Sequence, residues 1–360
     1  MKILITGICG FVGSVLARGL LDQWPDKGEE LQLIGLDNFS RPGAESNRFD
    51  LKNRGVKLFY GDIRQRDDID DLPAVDWVID AAANASVLAG VDGSVSSRQI
   101  MDYNLASTIN ILEYCKRHQA GFLLISTSRV YSIEDLASLP MLEQDLTFSL
   151  DADKLQTNGV SARGVSETFS TRAPISLYGV SKLASESIAL EYGDCFDFPV
   201  WINRCGVLAG AGQFGRPDQG IFSFWINSYL RRRPMRYIGF GGSGKQIRDC
   251  FHPLDLVELI IKQLACSKKD IPRICNFGGG PENSMSLAQL SDWCKDRFGA
   301  HDIAVDTAMR PFDIPWMIMD YTLANKIWDW RPKISLEQIL EEIAEHAQEN
   351  DNWLNLSEPL

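Results

Sequence analysis

A glycine-rich turn set between an apolar run and a helical pattern, at the very start of the chain, constrains the fold most. Lys2–Thr6 (KILIT) reads as a buried strand, and Gly13–Leu21 reads as a helix with Val15, Leu16 and Leu20 on one side. Between them, Thr6-Gly7-Ile8-Cys9-Gly10-Phe11-Val12-Gly13 spaces its glycines as G-x-x-G-x-x-G. Glycine at those places lets backbone approach a pyrophosphate and lets the helix pack closely on the strand. The positive end of the helix then faces the anion. Alone, such a turn is weak evidence, and its context has to carry the reading.

Short apolar runs and helical patterns alternate through the first half. Strands are expected at Gln32–Asp37 (QLIGLD), Val56–Tyr60 (VKLFY), Trp77–Ala81 (WVIDA), Gly121–Ser126 (GFLLIS) and Val200–Asn203. Helices are expected at Asn104–Lys116 and Tyr178–Tyr192. That spacing makes βαβ units and a parallel sheet covered by helices on both faces. The expected class is α/β, a Rossmann-type doubly wound parallel sheet with a smaller C-terminal α/β substrate lobe. From Gly206 onward Gly and Pro become frequent, with helices expected at Ile221–Arg231, Leu254–Ala265, Leu287–Phe298 and Leu336–His346. The expected division is residues 1–205 as a nucleotide-binding domain with a return segment near 247–265, residues 206–350 as a substrate lobe, and 351–360 as a frayed tail. Ser132–Arg172 lacks regular periodicity and reads as a functional loop or lid.

Asp37 closes the second strand, where a carboxylate can accept hydrogen bonds from both hydroxyls of a ribose. Asp62 follows the third strand, placed to meet an adenine. A carboxylate at Asp37 repels an added ribose phosphate, so NAD is expected over NADP, with Arg41 nearby as a counterweight.

Further on, Tyr178-Gly179-Val180-Ser181-Lys182 puts a tyrosine and a lysine one helical turn apart, on one face. A phenol with a pKa of about 10 is a poor base near neutrality. An ammonium beside it stabilises the phenolate, which can then take a proton from a substrate hydroxyl while hydride leaves to a nicotinamide. The fifth strand ends in Ser126-Thr127-Ser128, a hydroxyl at the carboxyl edge of the sheet, where open α/β folds bind ligands. Tyr-x-x-x-Lys occurs in many helices by chance, so the glycine turn upstream is what gives the pair meaning.

With these residues in view, the chain resembles the extended short-chain dehydrogenase/reductases of the NAD-dependent epimerase/dehydratase family, over roughly Met1 to Ala347. The shared motifs are TGICGFVG, GDI at Gly61–Ile63, AAA at Ala81–Ala83, Asn104, the STS-x-VY segment around Thr127, YGVSK, Asn203–Arg204, RDCFHPLD at Arg248–Asp255 and NFGGG at Asn276–Gly280. The resemblance implies a nucleotide-diphosphate sugar substrate, tightly held NAD, and a homodimer built from the helices near Asn104–Lys116 and Tyr178–Tyr192. Carried over by position, Thr127, Tyr178 and Lys182 are the catalytic residues. The implied cofactor-binding set is Gly7, Gly10, Phe11, Val12, Gly13, Asp37, Asn38, Asp62, Ile63, Ala81, Ala82, Ala83, Asn104, Tyr178, Lys182 and Arg204. Arg248 is expected to meet the diphosphate, with Ser128, Arg129, Gln219 and Arg310 as further substrate contacts.

The family's dehydratases and decarboxylase carry an acid just after the catalytic hydroxyl, whereas Ser128-Arg129 stands here, which disfavours elimination. Oxidation followed by re-reduction on the other face needs only the three catalytic residues and NAD. The segments Asp37–Ala44 with Asn47, Arg129, Asp218-Gln219-Gly220, Gly244–Asp249 and Asn283–Leu287 resemble the CDP-paratose/CDP-tyvelose 2-epimerase branch. That branch implies oxidation at carbon 2 of a CDP-sugar. Departures are Arg310-Pro311-Phe312-Asp313 followed by Ile314-Pro315-Trp316 rather than an arginine, Ser132 after Tyr131 where glycine is usual, and a long Ile133–Gly164 insertion. A UDP-sugar 4-epimerase, a nucleotide-sugar reductase or dehydrogenase, and a non-catalytic NAD-binding scaffold are the alternatives; the intact Thr127, Tyr178 and Lys182 weigh against the last.

Composition limits the partners. A net charge of −12 argues against a nucleic-acid surface. No segment reaches the ~20 apolar residues that span a bilayer, and a cytoplasmic protein is expected. The eight cysteines form no C-x-x-C pair and the four histidines are isolated, so no metal site is expected. Arg231–Arg233 reads as a solvated helix end, Trp328 and Trp330 as lobe packing, His252 as a core or loop residue, and Ser166 and Glu167 as lying on the active-site approach.

Overall fold

The structure, a computed structural model, describes residues 1–25, 30–217, 219–268 and 270–357; Asp218, part of the branch resemblance, lies outside them. It divides into two units.

The first unit comprises Met1–Thr127, Leu177–Arg204 and Pro253–Cys275. Its centre is a seven-stranded parallel sheet of β1 (Lys2–Thr6), β2 (Gln32–Asp37), β3 (Lys57–Tyr60), β4 (Trp77–Asp80), β5 (Gly121–Thr127), β6 (Val200–Cys205) and β7 (Ile274–Phe277). The spatial order is β7-β6-β5-β4-β1-β2-β3. The order reverses between β1 and β4, where Ile3 faces both Leu33 and Trp77, and ligands bind at the carboxyl edge beside such a reversal. Three helices matter for the site: α1 (Phe11–Gln23), α2 (Ser107–His118) and α3 (Ser176–Phe196). Leu4, Val78, Leu124 and Ile202 from the strands pack with Ile111, Leu112 and Ala189 from the helices. Strand boundaries follow the apolar runs to within two residues; β7 is the strand that the sequence reading did not resolve.

The second unit comprises Ser128–Ser176, Cys205–His252 and Asn276 onward. Helices Ile221–Leu230, Leu287–Phe298 and Leu336–Glu349 bury Trp225, Ile226, Leu290, Ile339 and Ile343 together. Two of them begin where capping boxes dictate, at Ser286 with Gln289 and at Ser335 with Gln338. Strand Ile247–Phe251 pairs with Ser284–Ser286 and Trp316–Met317.

Three expectations are corrected. The chain's return to the first unit comes at Pro253–Cys275, because Ile247–Phe251 is bound into second-unit strand pairs, whereas Leu254 and Val257 lie over Gly19 of α1. Ser132–Arg172 carries helix Ile133–Ala137 and two short hairpins; Ser132 replaces the usual glycine as the helix N-cap, accepting from the Asp135 amide at 3.3 Å. The tail does not fray through residue 357. Trp353 is buried, stacks on Phe214 at 5.2 Å and donates from Nε1 to the Gln213 carbonyl at 2.8 Å.

Candidate active site

The glycine turn links β1 to α1. The Gly7 amide donates to the Leu36 carbonyl at 2.9 Å, tying the turn to β2. A Cβ on Gly13 would lie 2.3 Å from the Gly7 carbonyl oxygen, so only glycine lets the helix sit this close to the turn. Gly10 is the N-cap of α1 and supplies no side-chain cap, and the first turn holds no acid. The amides of this first turn therefore depend on an outside acceptor.

Asp37 reaches from the end of β2 to the same turn. Its Oδ2 accepts from the Cys9 amide and its Oδ1 from the Phe39 amide, both at 2.8 Å. Burial raises its carboxyl above the usual range, and these amides pull it back. Asn47 steadies the turn from outside, donating to the Cys9 carbonyl at 2.9 Å. Asp62, just after β3, receives Asn38 at 2.8 Å and a two-pronged Arg64 at 2.9 and 2.6 Å. Burial opposes its charge, but Arg64 and Asn38 outweigh it and hold the carboxyl at about 2.

The uncapped helix end, the close-packed glycines and an acid at the tip of β2 fit a dinucleotide: pyrophosphate on the amides of Phe11, Val12 and Gly13, ribose at Asp37, adenine beside Asp62 and Ile63. A Cβ on Gly10 would meet only the Gly7 oxygen, at 3.1 Å, which leaves that face of the turn open to a ligand.

Tyr178 and Lys182 stand one turn apart on α3 and are 6% and 2% exposed. Thr127 ends β5, at the same carboxyl edge as Gly7, Asp37 and Ala81–Ala83. The helix is stitched to α2 below them. Before α2 the chain makes a π-helical turn at Asp102–Ala106, a local widening often found at functional sites. It presents Asn104, whose Nδ2 donates to Ser181 Oγ at 3.1 Å and the Asn84 carbonyl at 3.0 Å, while its Oδ1 accepts from the Asn84 amide at 2.9 Å. The side-chain amide of Asn104 thus fastens the segment after β4 to α3.

Arg204 is similarly committed. Its guanidinium grips Glu186 through Nε at 3.1 Å and Nη2 at 2.7 Å, and Ser126 donates to the same carboxylate. Arg204 and Glu186 are 5% and 1% exposed, so this is a buried pair tying β6 to α3. Sequence reasoning overlooked Glu186, two turns beyond Tyr178 on the same helix, and Asp80, an acid closing an otherwise apolar strand.

Within the second unit, segment Arg310–Ile314 collects the expected substrate contacts. Arg129 donates to the Phe312 carbonyl at 3.4 Å, and Arg248 to the Ile314 carbonyl at 2.9 Å and to Asp313 at 3.4 Å. Arg310 donates to the Pro217 carbonyl at 3.0 Å, in the turn where Arg216 and Gln219 bond to each other's backbone. Glu167 instead caps the Asn276 amide at 2.6 Å, and Ser166 bonds the Gly159 carbonyl at 3.2 Å. His252 is buried beside Glu342 at 3.4 Å, and Trp330 packs edge-on against Phe251 and Phe277. Arg232 is exposed just past its helix end, as expected, and donates to the Gly299 and Ala300 carbonyls at 3.2 and 2.7 Å. Among the described residues no helix is long and apolar enough to cross a membrane, and no cluster of three His, Cys, Asp or Glu side chains is arranged to hold a metal.

The sequence model of the NAD dependent epimerase/dehydratase family matches residues 3–278. The chain is 29% identical to a Salmonella typhi protein named CDP-paratose 2-epimerase, over 93% of this chain and 96% of that one. It is 25% identical to a UDP-glucuronate 4-epimerase of Thermodesulfobacterium geofontis, over 96% of each. The fold matches that of the UDP-glucuronic acid 4-epimerase from Bacillus cereus, solved with UDP-glucuronic acid and NAD, with a TM-score of 0.74, 24% identity, and 97% and 99% coverage. The chain belongs to the NAD-dependent epimerase/dehydratase family and is an NAD-using enzyme of the extended short-chain dehydrogenase/reductase type.

Proposed function

We propose that this protein inverts a carbinol carbon of a nucleotide-diphosphate sugar, at carbon 2 of a CDP-sugar. The observation that carries the reaction is the pairing of Tyr178 and Lys182 on one face of α3, with Thr127 at the strand edge and no acid following it. Tyr178 takes the proton of the sugar hydroxyl and returns it after inversion. Lys182 holds its ammonium beside the phenol and favours the phenolate. Thr127 shares a hydrogen bond with the same sugar oxygen. The glycine turn, Asp37, Asn38, Asp62, Ile63 and Ala81–Ala83 would hold NAD, which when bound would supply the hydride acceptor and donor that an inversion needs. Arg248 and Arg310 bind the diphosphate, where a guanidinium fork matches phosphate oxygens, while Ser128, Arg129 and Gln219 contact the remainder of the substrate.

The resemblance to the Salmonella typhi relative supports carbon 2 and cytidine. The Thermodesulfobacterium geofontis relative supports a second reading, a UDP-sugar 4-epimerase. A panel of CDP-, UDP-, GDP- and dTDP-sugars, followed by NMR without added NAD, separates them. Inversion at carbon 2 of a CDP-sugar is expected, and inversion at carbon 4 of a UDP-sugar would replace the first reading by the second. Tyr178→Phe is expected to lower turnover by at least about 100-fold while NAD stays bound. Deuterium from solvent entering a carbon position during turnover would contradict a pure hydride shuttle.

A further inference from the structure

Trp353–Ser357 is one helical turn of five residues, and a turn of that length does not persist on its own. Its order comes from what it touches, and it touches the second unit on two sides. On the first side, just past helix Ile221–Leu230, Arg231 pairs with Asp351 at 3.0 Å and donates to the Ala347 carbonyl. Arg233 donates to Asn355 Oδ1. Two arginines of the Arg231–Arg233 run thus fasten the end of the chain.

On the second side lies the loop that joins strand Val207–Leu208 to helix Ile221–Leu230. Trp353 Nε1 donates to the Gln213 carbonyl at 2.8 Å, and its ring stacks on Phe214, centroids 5.2 Å apart and planes 16° from parallel. His346 of helix Leu336–Glu349 meets the same indole edge-on at 4.5 Å. The Gln213 carbonyl also accepts from Ser223 Oγ at 2.8 Å, so both of its lone pairs are used. Glu342 accepts from the Ala211 amide at 3.2 Å. Gln213, Phe214 and Trp353 are 9%, 3% and 6% exposed, so the junction is dry. Three residues beyond Phe214 the loop reaches the expected substrate contacts: Arg310 donates to the Pro217 carbonyl at 3.0 Å, and Arg216 and Gln219 bond to each other's backbone at 2.7 and 3.2 Å. The end of the chain, Gln213, Phe214, Gln219 and Arg310 are therefore linked by printed contacts within one unit.

We propose that Trp353 is a positioning residue and the C-terminal turn a strap: by gripping Gln213 and Phe214 it holds the loop that presents Gln219 and backs Arg310, a role that rests on the substrate contacts given to those two residues above. A surface loop opens locally unless buried contacts restrain it, and a loop that is open part of the time binds its ligand more weakly by that fraction. Tyr178, Lys182, Thr127 and the glycine turn belong to the first unit. The strap therefore acts on how tightly the nucleotide sugar is held, through the loop, and takes no part in the proton or hydride steps.

The test uses the full-length, NAD-loaded protein and two readings. The first is amide hydrogen exchange in peptides covering residues 209–220. Trp353→Ala is expected to speed exchange there at least about tenfold, because a hydrogen bond and an aromatic stack are lost together, while peptides from helix Leu287–Phe298 change less than about twofold. Trp353→Phe keeps a ring for Phe214 and His346 and loses only the N–H donor, so a rise of roughly threefold is expected. The second reading is kinetic, with the CDP- or UDP-sugar that the natural protein inverts. Trp353→Ala is expected to raise KM about tenfold with kcat within about twofold, and Trp353→Phe to restore most of the loss. A merely structural Trp353 would speed exchange in both sets of peptides alike. Loop exchange that stays at the natural rate in a folded Trp353→Ala protein overturns the proposal, and so does a fall in kcat at constant KM. If Trp353→Ala does not fold, Trp353→Phe decides by the same two readings. Exchange needs no sugar, so a natural protein silent across the nucleotide-sugar panel would sink the proposed reaction while the exchange reading still decides whether the strap holds the loop.

Discussion

Glu186 shows how a side chain's task depends on what the fold sets beside it. Its neighbours on α3, Tyr178 and Lys182, were legible because their chemistry needs a fixed spacing within one helix, and a helix is local. The Glu186–Arg204 pair spans 18 residues and joins a helix to a strand, so nothing in the sequence says that these two meet. The family resemblance assigns Arg204 to the cofactor set; its guanidinium is bidentate on Glu186, a contact that only the fold reveals. The side-chain amide of Asn104 likewise meets partners distant in sequence, Asn84 and Ser181. The buried pair makes a specific demand. Glu186→Gln leaves the Arg204 guanidinium enclosed without its counter-charge, which costs about 3–5 kcal/mol in comparable pairs. Urea unfolding of the variant should show a midpoint well below that of the natural protein with an unchanged slope. Equal midpoints would mean that the pair contributes nothing.

At the scale of elements, apolar runs announce strands and periodic patterns announce helices, which is why six strands and the helices that carry the site were legible. The exceptions each have a tertiary cause. β7 (ICNF) is four residues with a central asparagine, and only its place at the end of the sheet identifies it. The π-helical turn at Asp102–Ala106 has an ordinary helical composition, and its widening is set by the fit of Asn104 against α3. Strand Ile247–Phe251 shows a further consequence of placement. It carries Asp249, 1% exposed, whose Oδ2 accepts from the Gly279 amide at 2.8 Å and sits near the Gly280 amide at 3.4 Å. Burial pushes this carboxyl up to about 7, against those amides. The folded state therefore holds a proton that the unfolded state releases near pH 4. The stabilisation is complete below the unfolded value and is lost as pH rises through about 7. Denaturant midpoints taken from pH 5 to 8 should fall for the natural protein relative to Asp249→Asn, which has no proton to lose. Parallel curves for the two proteins would show that Asp249 does not titrate in that window.

At the scale of the whole molecule, what one copy leaves outward bears on how copies associate. The outward stripe of α3 runs through Val180, Ala184, Ser187 and Glu191, at spacings of four, three and four. The outward side of α2 shows Ile109, Asn110 and Glu113, and Tyr192 bonds Glu113 at 2.7 Å to hold the two helices side by side. Val180, Ala184, Ser187 and Ile109, small or apolar and bordered by the polar Asn110, Glu113 and Glu191, suit a self-complementary contact, in which each copy offers the same patch about a two-fold axis. A homodimer through α2 and α3 is the expected assembly. Sedimentation equilibrium should then give roughly twice the 40.3 kDa of one chain. Ser187→Arg puts a charged, bulky group in the middle of the stripe without touching the core, so it should shift the protein to monomers while its thermal unfolding stays cooperative. A natural protein that sediments as a monomer at micromolar concentration would remove the dimer, and a Ser187→Arg variant that stays dimeric would move the interface to another face.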